Sequence, residues 1–183
     1  MRTKGVRRSL TLVLVLLLLL GAPAGACAAG LAARFERTLG AGTAPTLIKE
    51  YGGEYILPIQ QRLWVEEVFR RVAAQSERED VEYTLTVLNS KEANAFSLPG
   101  GFIFITRGLL SLIGSDEAQL AAVLGHEIAH VEKKHGVNAV LRQMGLSVLA
   151  EVGVAAIDFL SAELLRLAGL TLVQMLQAGW GRE

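Results

Sequence analysis

His126, Glu127 and His130 stand in the order His-Glu-x-x-His. On a helix, residues four apart share a face, so both imidazoles reach one ion. A tetrahedral zinc site accepts neutral imidazole nitrogen. Glu127 follows His126 directly and precedes His130 by three residues. Its carboxylate therefore approaches the same face without competing as a ligand. The chemistry this predicts is hydrolysis. Zinc lowers the pKa of a bound water to about 7, and a carboxylate beside it takes the proton as general base. The same carboxylate then passes the proton to a leaving amine. Two surface histidines on a polar helix face are the plain alternative. The surrounding Leu120, Val123, Leu124, Ile128 and Val131 are apolar and argue against it. His126 and His130 are thus the expected ligands of one zinc ion per chain, with Glu127 catalytic. His135 lies five residues beyond His130, and about 500° of continued helix would carry it off the ligand face. A helix-dipole partner is its expected role.

The motif must ride on a helix. Asp116 supplies an N-cap, and Gln119 sits at the third helical position, as a capping box requires. Lys133, Lys134 and His135 fill the last turn, and Gly136 marks the expected stop. Upstream, Val81 to Leu88 alternates, with Val81, Tyr83, Leu85 and Val87 on one face, which predicts a half-buried strand. Asn89-Ser90-Lys91 and Pro99-Gly100-Gly101 are turn signals. Between the second turn and Arg107, Phe102 to Thr106 forms a short strand apolar on both faces, and Arg107 to Ile113 a short helix. After Pro58, Leu63, Trp64, Val68, Phe69 and Val72 recur at helical spacing and predict the buried face of another helix. Residues 31–57, rich in Gly and Ala, give an irregular or partly helical lead-in.

A chain of 183 residues fits one modest domain. Its 18 basic and 18 acidic residues balance, and no basic stripe follows the first eight positions, so nucleic acid is excluded as a partner. Arg2, Lys4, Arg7 and Arg8 precede the uncharged run Leu10 to Leu20, and small residues follow. This is the layout of a secretory signal peptide over residues 1–28, with an uncleaved anchor as the alternative. Cleavage fits after Ala26 or after Ala28. Cys27 is the single cysteine, so no internal disulfide forms. Its place behind the apolar run resembles a lipoprotein box, although Ala24 stands where Leu is usual; a small residue near a cleavage site is the alternative. Residues 137–179 are apolar, but Arg142, Glu151, Asp158, Glu163 and Arg166 interrupt them. Buried or amphipathic helices are expected there rather than membrane spans. The domain organisation read from the sequence is a leader (1–28), a lead-in (29–57) and the N-terminal part of a metallopeptidase domain (58–183).

Two blocks carry a family resemblance. One runs Asn94-Ala95-Phe96-Ser97-Leu98-Pro99-Gly100-Gly101-Phe102-Ile103-Phe104-Ile105-Thr106-Arg107-Gly108-Leu109-Leu110. The other contains Asp116-Glu117, then Leu120 to Val131 with the motif, then His135. In these the chain resembles the HtpX-like and CAAX-prenyl-protease family of zinc metalloendopeptidases, peptidase family M48, a gluzincin family. The resemblance implies an α+β, zincin-like fold, mainly helical, with a small sheet beside the motif helix. It implies zinc on His126 and His130, Glu127 as catalyst and a polypeptide substrate. It places the strand at 102–106 beside the cleft, where Phe102, Ile103 and Phe104 would present an edge to an extended substrate. In the family the third ligand is a Glu in a Glu-x-x-x-Asp pattern on a later helix. No such pattern follows His130 here, and the ligand is expected beyond Glu183. Glu151, Asp158, Glu163 and Glu183 are the downstream carboxylates present.

The function expected is therefore zinc-dependent hydrolysis of peptide bonds in exported or misfolded proteins. The compartment expected is periplasmic or membrane-associated, with membrane-surface contact or lipid anchorage open. A non-catalytic, chaperone-like binding module is the alternative, because the ligand set is incomplete. A membrane-embedded peptidase is the third reading, and the charges in 137–179 argue against it.

Overall fold

Three short strands form the layer on which the helices pack: β1 (Thr84–Leu88), β2 (Ala95–Leu98) and β3 (Phe102–Thr106). Their order is β1-β3-β2, with β1 parallel and β2 antiparallel to β3. The computed structural model of the chain describes residues 24–144 and 162–178. Within them lie α1 (Ala24–Glu50), α2 (Ile59–Ala73), α3 (Arg107–Ile113), α4 (Glu117–Glu132), α5 (His135–Gln143) and α6 (Ala162–Gln177). This is the mainly helical α+β architecture that the sequence implies.

β3 is buried on both faces, as its unbroken apolar run predicts. Phe104 points into one core with Phe96, Leu98 and Leu88, joined by residues of α1, α5 and α6. Ile103 and Ile105 point into a second core with Leu110, Leu120, Leu124 and Ile128. The sheet thus separates two helical layers, and α4 lies on the second. The half-buried alternation of 81–88 holds too: Val81, Tyr83, Leu85 and Val87 all lean on the second core. Thr106 closes the end of β3. Its buried hydroxyl caps α3 by accepting from Leu109 N at 3.2 Å, and also bonds the 92–94 loop.

Four expectations change. β3 is the central strand, not an edge. Its hydrogen-bonding groups are taken by β1 and β2, so Phe102, Ile103 and Phe104 offer no edge to a substrate. Ile103 and Phe104 are core residues, and Phe102 lies under the Arg37 guanidinium, 5.5 Å from its ring centre. On α2, Val65 and Val68 are the buried pair and Leu63 is half exposed, because the helix turns the 65/68 stripe toward α4. The 31–57 lead-in is partly helical as expected, up to Glu50, but it packs into the core instead of standing apart from it. Ala32, Phe35, Leu39, Ala44 and Leu47 pack against the sheet and α6. The fourth change, the end of α4, is described with the site. The leader residues 1–23 lie outside the described residues, as do Glu151, Asp158 and Glu183; the side chain of Glu163 does too. Among the described residues no helix is long and apolar enough to cross a membrane.

The glycines of α1 explain how it packs so closely. A Cβ on Gly40 would run into the carbonyl oxygen of Pro99 and the ring of Phe102, whereas one on Gly42 meets nothing within 4 Å. Opposite outcomes follow from opposite sides of one turn. Gly40→Ala lowers stability by about 1–3 kcal/mol through overpacking. Gly42→Ala raises it by about 0.5–1 kcal/mol through helix propensity. Urea unfolding midpoints of the two variants check this. A Gly40→Ala variant as stable as wild type would mean that α1 does not sit on the 99–102 turn.

Candidate active site

Local sequence sets α4 in place. Asp116 caps it, accepting from Gln119 N at 3.0 Å, and the Gln119 side chain bonds the same carboxylate at 2.8 Å. Leu120, Leu124, Ile128 and Val131 bury one stripe against the second core. That orientation turns His126 to solvent, half-buries His130 and inserts Glu127 under the sheet, where it is 5% exposed.

The two imidazoles converge as the four-residue spacing requires. His126 Nε2 and His130 Nε2 lie 3.0 Å apart, with the rings edge to face. Two nitrogens on one tetrahedral zinc are about 3.3 Å apart, given Zn–N bonds of about 2.05 Å. The pair fits one ion after a small spreading. Among the described residues no group of three or more His, Cys, Asp or Glu stands ready to hold a metal, so these two supply the donors present.

Glu127 sits where β2 passes α4. Ala95 and Ser97 face the helix, while Phe96 and Leu98 face the opposite core. Burial pushes the Glu127 carboxyl up to about 7 from an ordinary 4.5, and a hydrogen bond with Ser97 pulls it partly back. Desolvation disfavours the charged form, and a hydroxyl that bonds the carboxylate restores some of it. Ser97 is a site residue that the sequence did not single out. Its signal was alternation in Ala95–Leu98, a segment of four residues between two turn signals.

β2 also supplies the open edge that β3 lacks. Asn94 O accepts from Thr106 N at 2.9 Å. Alternation along an antiparallel ladder then assigns Phe96 and Leu98 to the bonded pairs with β3. The main-chain groups of Ala95 and Ser97 point outward, and among the described residues no strand takes them.

The end of α4 departs from expectation. The helix stops at Glu132, and Lys134 adopts the left-handed conformation, φ 53°, that Gly136 was expected to supply. Gly136 instead lies in the first turn of α5, where a Cβ would sit 3.3 Å from Pro99 Cγ. Because the helix does not continue, His135 is not carried away. Its Nδ1 lies 2.8 Å from Nδ1 of His130, on the ring edge opposite the Nε2 pair. It is therefore placed neither as a third ligand nor as a dipole partner.

A cluster of charges braces this turn. Glu36 of α1 is 1% exposed. Arg78 reaches its Oε2 at 3.3 Å and grips Asp80 with two bonds of 2.7 and 2.8 Å. Lys134 Nζ lies 3.2 Å from Glu36 Oε1, off the line a hydrogen bond needs. The hydrogen bond to Asp80, and then the charges of Glu36 and Asp80, hold the Arg78 guanidinium strongly protonated against the cost of its burial. Glu77 N donates to Glu132 Oε1 at 2.9 Å and clamps the 76–80 loop to the same helix end.

Comparison with known proteins points to one family. The mitochondrial metalloendopeptidase OMA1 of Schizosaccharomyces pombe is 32% identical over 126 residues, 68% of this chain and 37% of that protein. The OMA1 metalloendopeptidase of Bos taurus is 41% identical over 56 residues, 31% of this chain and 10% of that one. The beta-barrel assembly-enhancing protease of Yersinia pestis is 32% identical over 84 residues, 46% of this chain and 17% of that one. The chain spans well under half the length of these relatives. A family model, Peptidase family M48, matches residues 59–182, from the start of α2 through the histidine pair to the last helix and beyond. The match spans the helix that carries His126, Glu127 and His130, and the chain belongs to peptidase family M48.

Proposed function

We propose that the chain is the metal-binding part of a zinc-dependent metalloendopeptidase that hydrolyses peptide bonds of exported or misfolded polypeptides. One observation carries the reading: two Nε2 atoms 3.0 Å apart on α4, on the helix where the neighbouring Glu127 is buried. His126 and His130 would hold a zinc ion, which when bound would supply an activated water and Lewis-acid polarisation of the scissile carbonyl. Glu127 does the proton work. Its carboxylate oxygen accepts the water proton as the nucleophile adds to the carbonyl carbon, then donates it to the departing amine nitrogen. Without metal, burial holds that carboxyl near 7, and a bound cation would favour its charged, proton-accepting form. Ser97 bonds that carboxylate and so favours its charged form.

An extended substrate pairs with the outward groups of Ala95 and Ser97 on β2. This replaces the role first expected of Phe102, Ile103 and Phe104. Main-chain pairing is indifferent to side chains, which suits unfolded substrates. The third protein ligand is expected from a carboxylate on a later helix, in keeping with the resemblance. The leader composition supports export to a periplasmic or membrane-associated location, with Cys27 the point of any lipid anchorage.

One observation favours a second reading. The described residues contain only two converging donors, so a module that binds unfolded chains without cutting them is the alternative. Zinc titration of the purified chain, followed by incubation with an unfolded protein, separates the two. The expected result is one zinc per chain, lost in His130→Ala with helicity unchanged, and fragments that disappear on chelation. Saturable binding of the unfolded protein with no fragments at full zinc occupancy would establish the second reading instead.

A further inference from the structure

The proton on the far nitrogen of a ligating imidazole decides whether the near nitrogen has a lone pair to give. Zinc on His130 Nε2 requires the hydrogen on Nδ1, and that hydrogen needs an acceptor. The Nδ1–Nδ1 distance of 2.8 Å between His130 and His135 matches a hydrogen bond, and the rings lie edge to face at 72°. From this we infer that His135 is a positioning residue for the metal site. Its Nδ1 accepts the Nδ1–H of His130, fixing both the tautomer and the ring plane of that ligand. The inference rests on the reading of His130 as a zinc ligand.

The backbone is built for this contact. Had α4 run on, His135 would face away from His130. The chain instead breaks at Lys134 in the left-handed region, which a non-glycine residue enters only when its surroundings hold it there. The surroundings are visible. Glu36 draws in the Lys134 ammonium, and Pro99 packs close against Gly136. His135 opens α5, whose Val137, Val140 and Leu141 are buried in the first core. An imidazole on the first residue of a well-packed helix is held more firmly than one on a loop. The arrangement also assigns unequal roles to the two ligands. With Nδ1–H fixed on His130, the 3.0 Å contact between the Nε2 atoms must use the Nε2–H of His126. On metal binding His126 therefore changes tautomer and His130 does not.

Asparagine provides a discriminating substitution, because its Oδ1 stands where histidine carries Nδ1 and accepts a hydrogen bond. Three proteins are compared: wild type, His135→Leu and His135→Asn. Zinc affinity is measured by competition with a chromophoric chelator. In parallel, the imidazole nitrogen shifts of His130 are recorded by NMR in the metal-free chain at pH 8. The expected outcome is a loss of zinc affinity of about 10- to 100-fold in His135→Leu, with His135→Asn close to wild type. His130 should hold its hydrogen on Nδ1 in wild type and in His135→Asn. Equal zinc affinity in all three proteins, or a wild-type His130 protonated on Nε2, overturns the inference. Should His135→Leu fail to fold, the wild-type tautomer and the Asn variant still decide it. A wild type that binds no zinc but shows Nδ1–H on His130 refutes the peptidase reading and leaves the contact intact, so the two failures are distinguishable.

Discussion

On the proposed peptidase reading, Glu127→Gln is expected to abolish peptide hydrolysis while keeping zinc, and to make the metal-free protein more stable at pH 8. The first effect follows from losing the general base, a role worth about 10²- to 10⁴-fold in rate. The third is less obvious and comes from burial. Unfolded, the carboxyl titrates near 4.5; folded and metal-free, near 7. Between those values the native chain holds a proton that the unfolded chain has released. Unfolding therefore becomes easier as pH rises through that window. The protonated carboxyl favours the fold fully below about 4.5, and that advantage is gone above about 7. The difference corresponds to about 3 kcal/mol. Glutamine is neutral at every pH and removes the dependence. Urea unfolding of the metal-free proteins from pH 5 to pH 8 checks it: wild type weakens while Glu127→Gln stays level. A wild-type curve that strengthens with pH would mean the carboxylate is not desolvated as the structure has it. Adding zinc should recover the wild type at pH 8, since a nearby cation favours the charged form.

Arg78→Met lowers stability by about 3 kcal/mol, at the low end for breaking a buried pair because Lys134 remains beside Glu36. In a domain of this size that corresponds to a melting point lower by roughly 6–12 °C. The cause is the stranded carboxylate rather than the lost packing of the guanidinium stem. The double variant Glu36→Leu/Arg78→Met therefore recovers most of the loss, because an apolar replacement of both partners leaves no buried charge. Thermal melts of the single and double variants check both statements. A double variant as weak as the sum of its parts would mean the residues act independently.

The helix that carries the motif was legible in full at its start and wrong at its end, for a physical reason. Asp116 and Gln119 act locally, so sequence alone specifies the cap. The stop at Lys134 depends on Glu36, which is distant in the chain, and no local pattern marks a lysine for the left-handed region. The same contrast explains the strands. The apolar run Phe102 to Thr106 announced burial on both faces, but strand order is set by neighbours, and β3 lies inside the sheet. β2 has four residues, too few for alternation to stand out between two turns. In α1 the repeat of Ala32, Phe35, Leu39, Ala44 and Leu47 is present, yet glycines and alanines occupy much of the contact face and read as irregular composition. The convergence of His126 and His130 on one helix face was legible from spacing alone. Ser97 and the contact of His135 with His130 required the third dimension.

The cluster around Glu36 also bears on when the site takes shape during folding. Arg78 meets Glu36 across 42 residues of chain and the Val131 carbonyl across 53. Closing such loops is slow compared with winding a helix whose caps are local. α4 therefore has the means to form early, while the turn that aims His135 waits for α1 to dock. A nascent chain would carry both histidines on a finished helix before the second imidazole is steadied, so that secure metal capture, and with it any cutting power, comes as a late event, after the surrounding polypeptide has been packed out of reach.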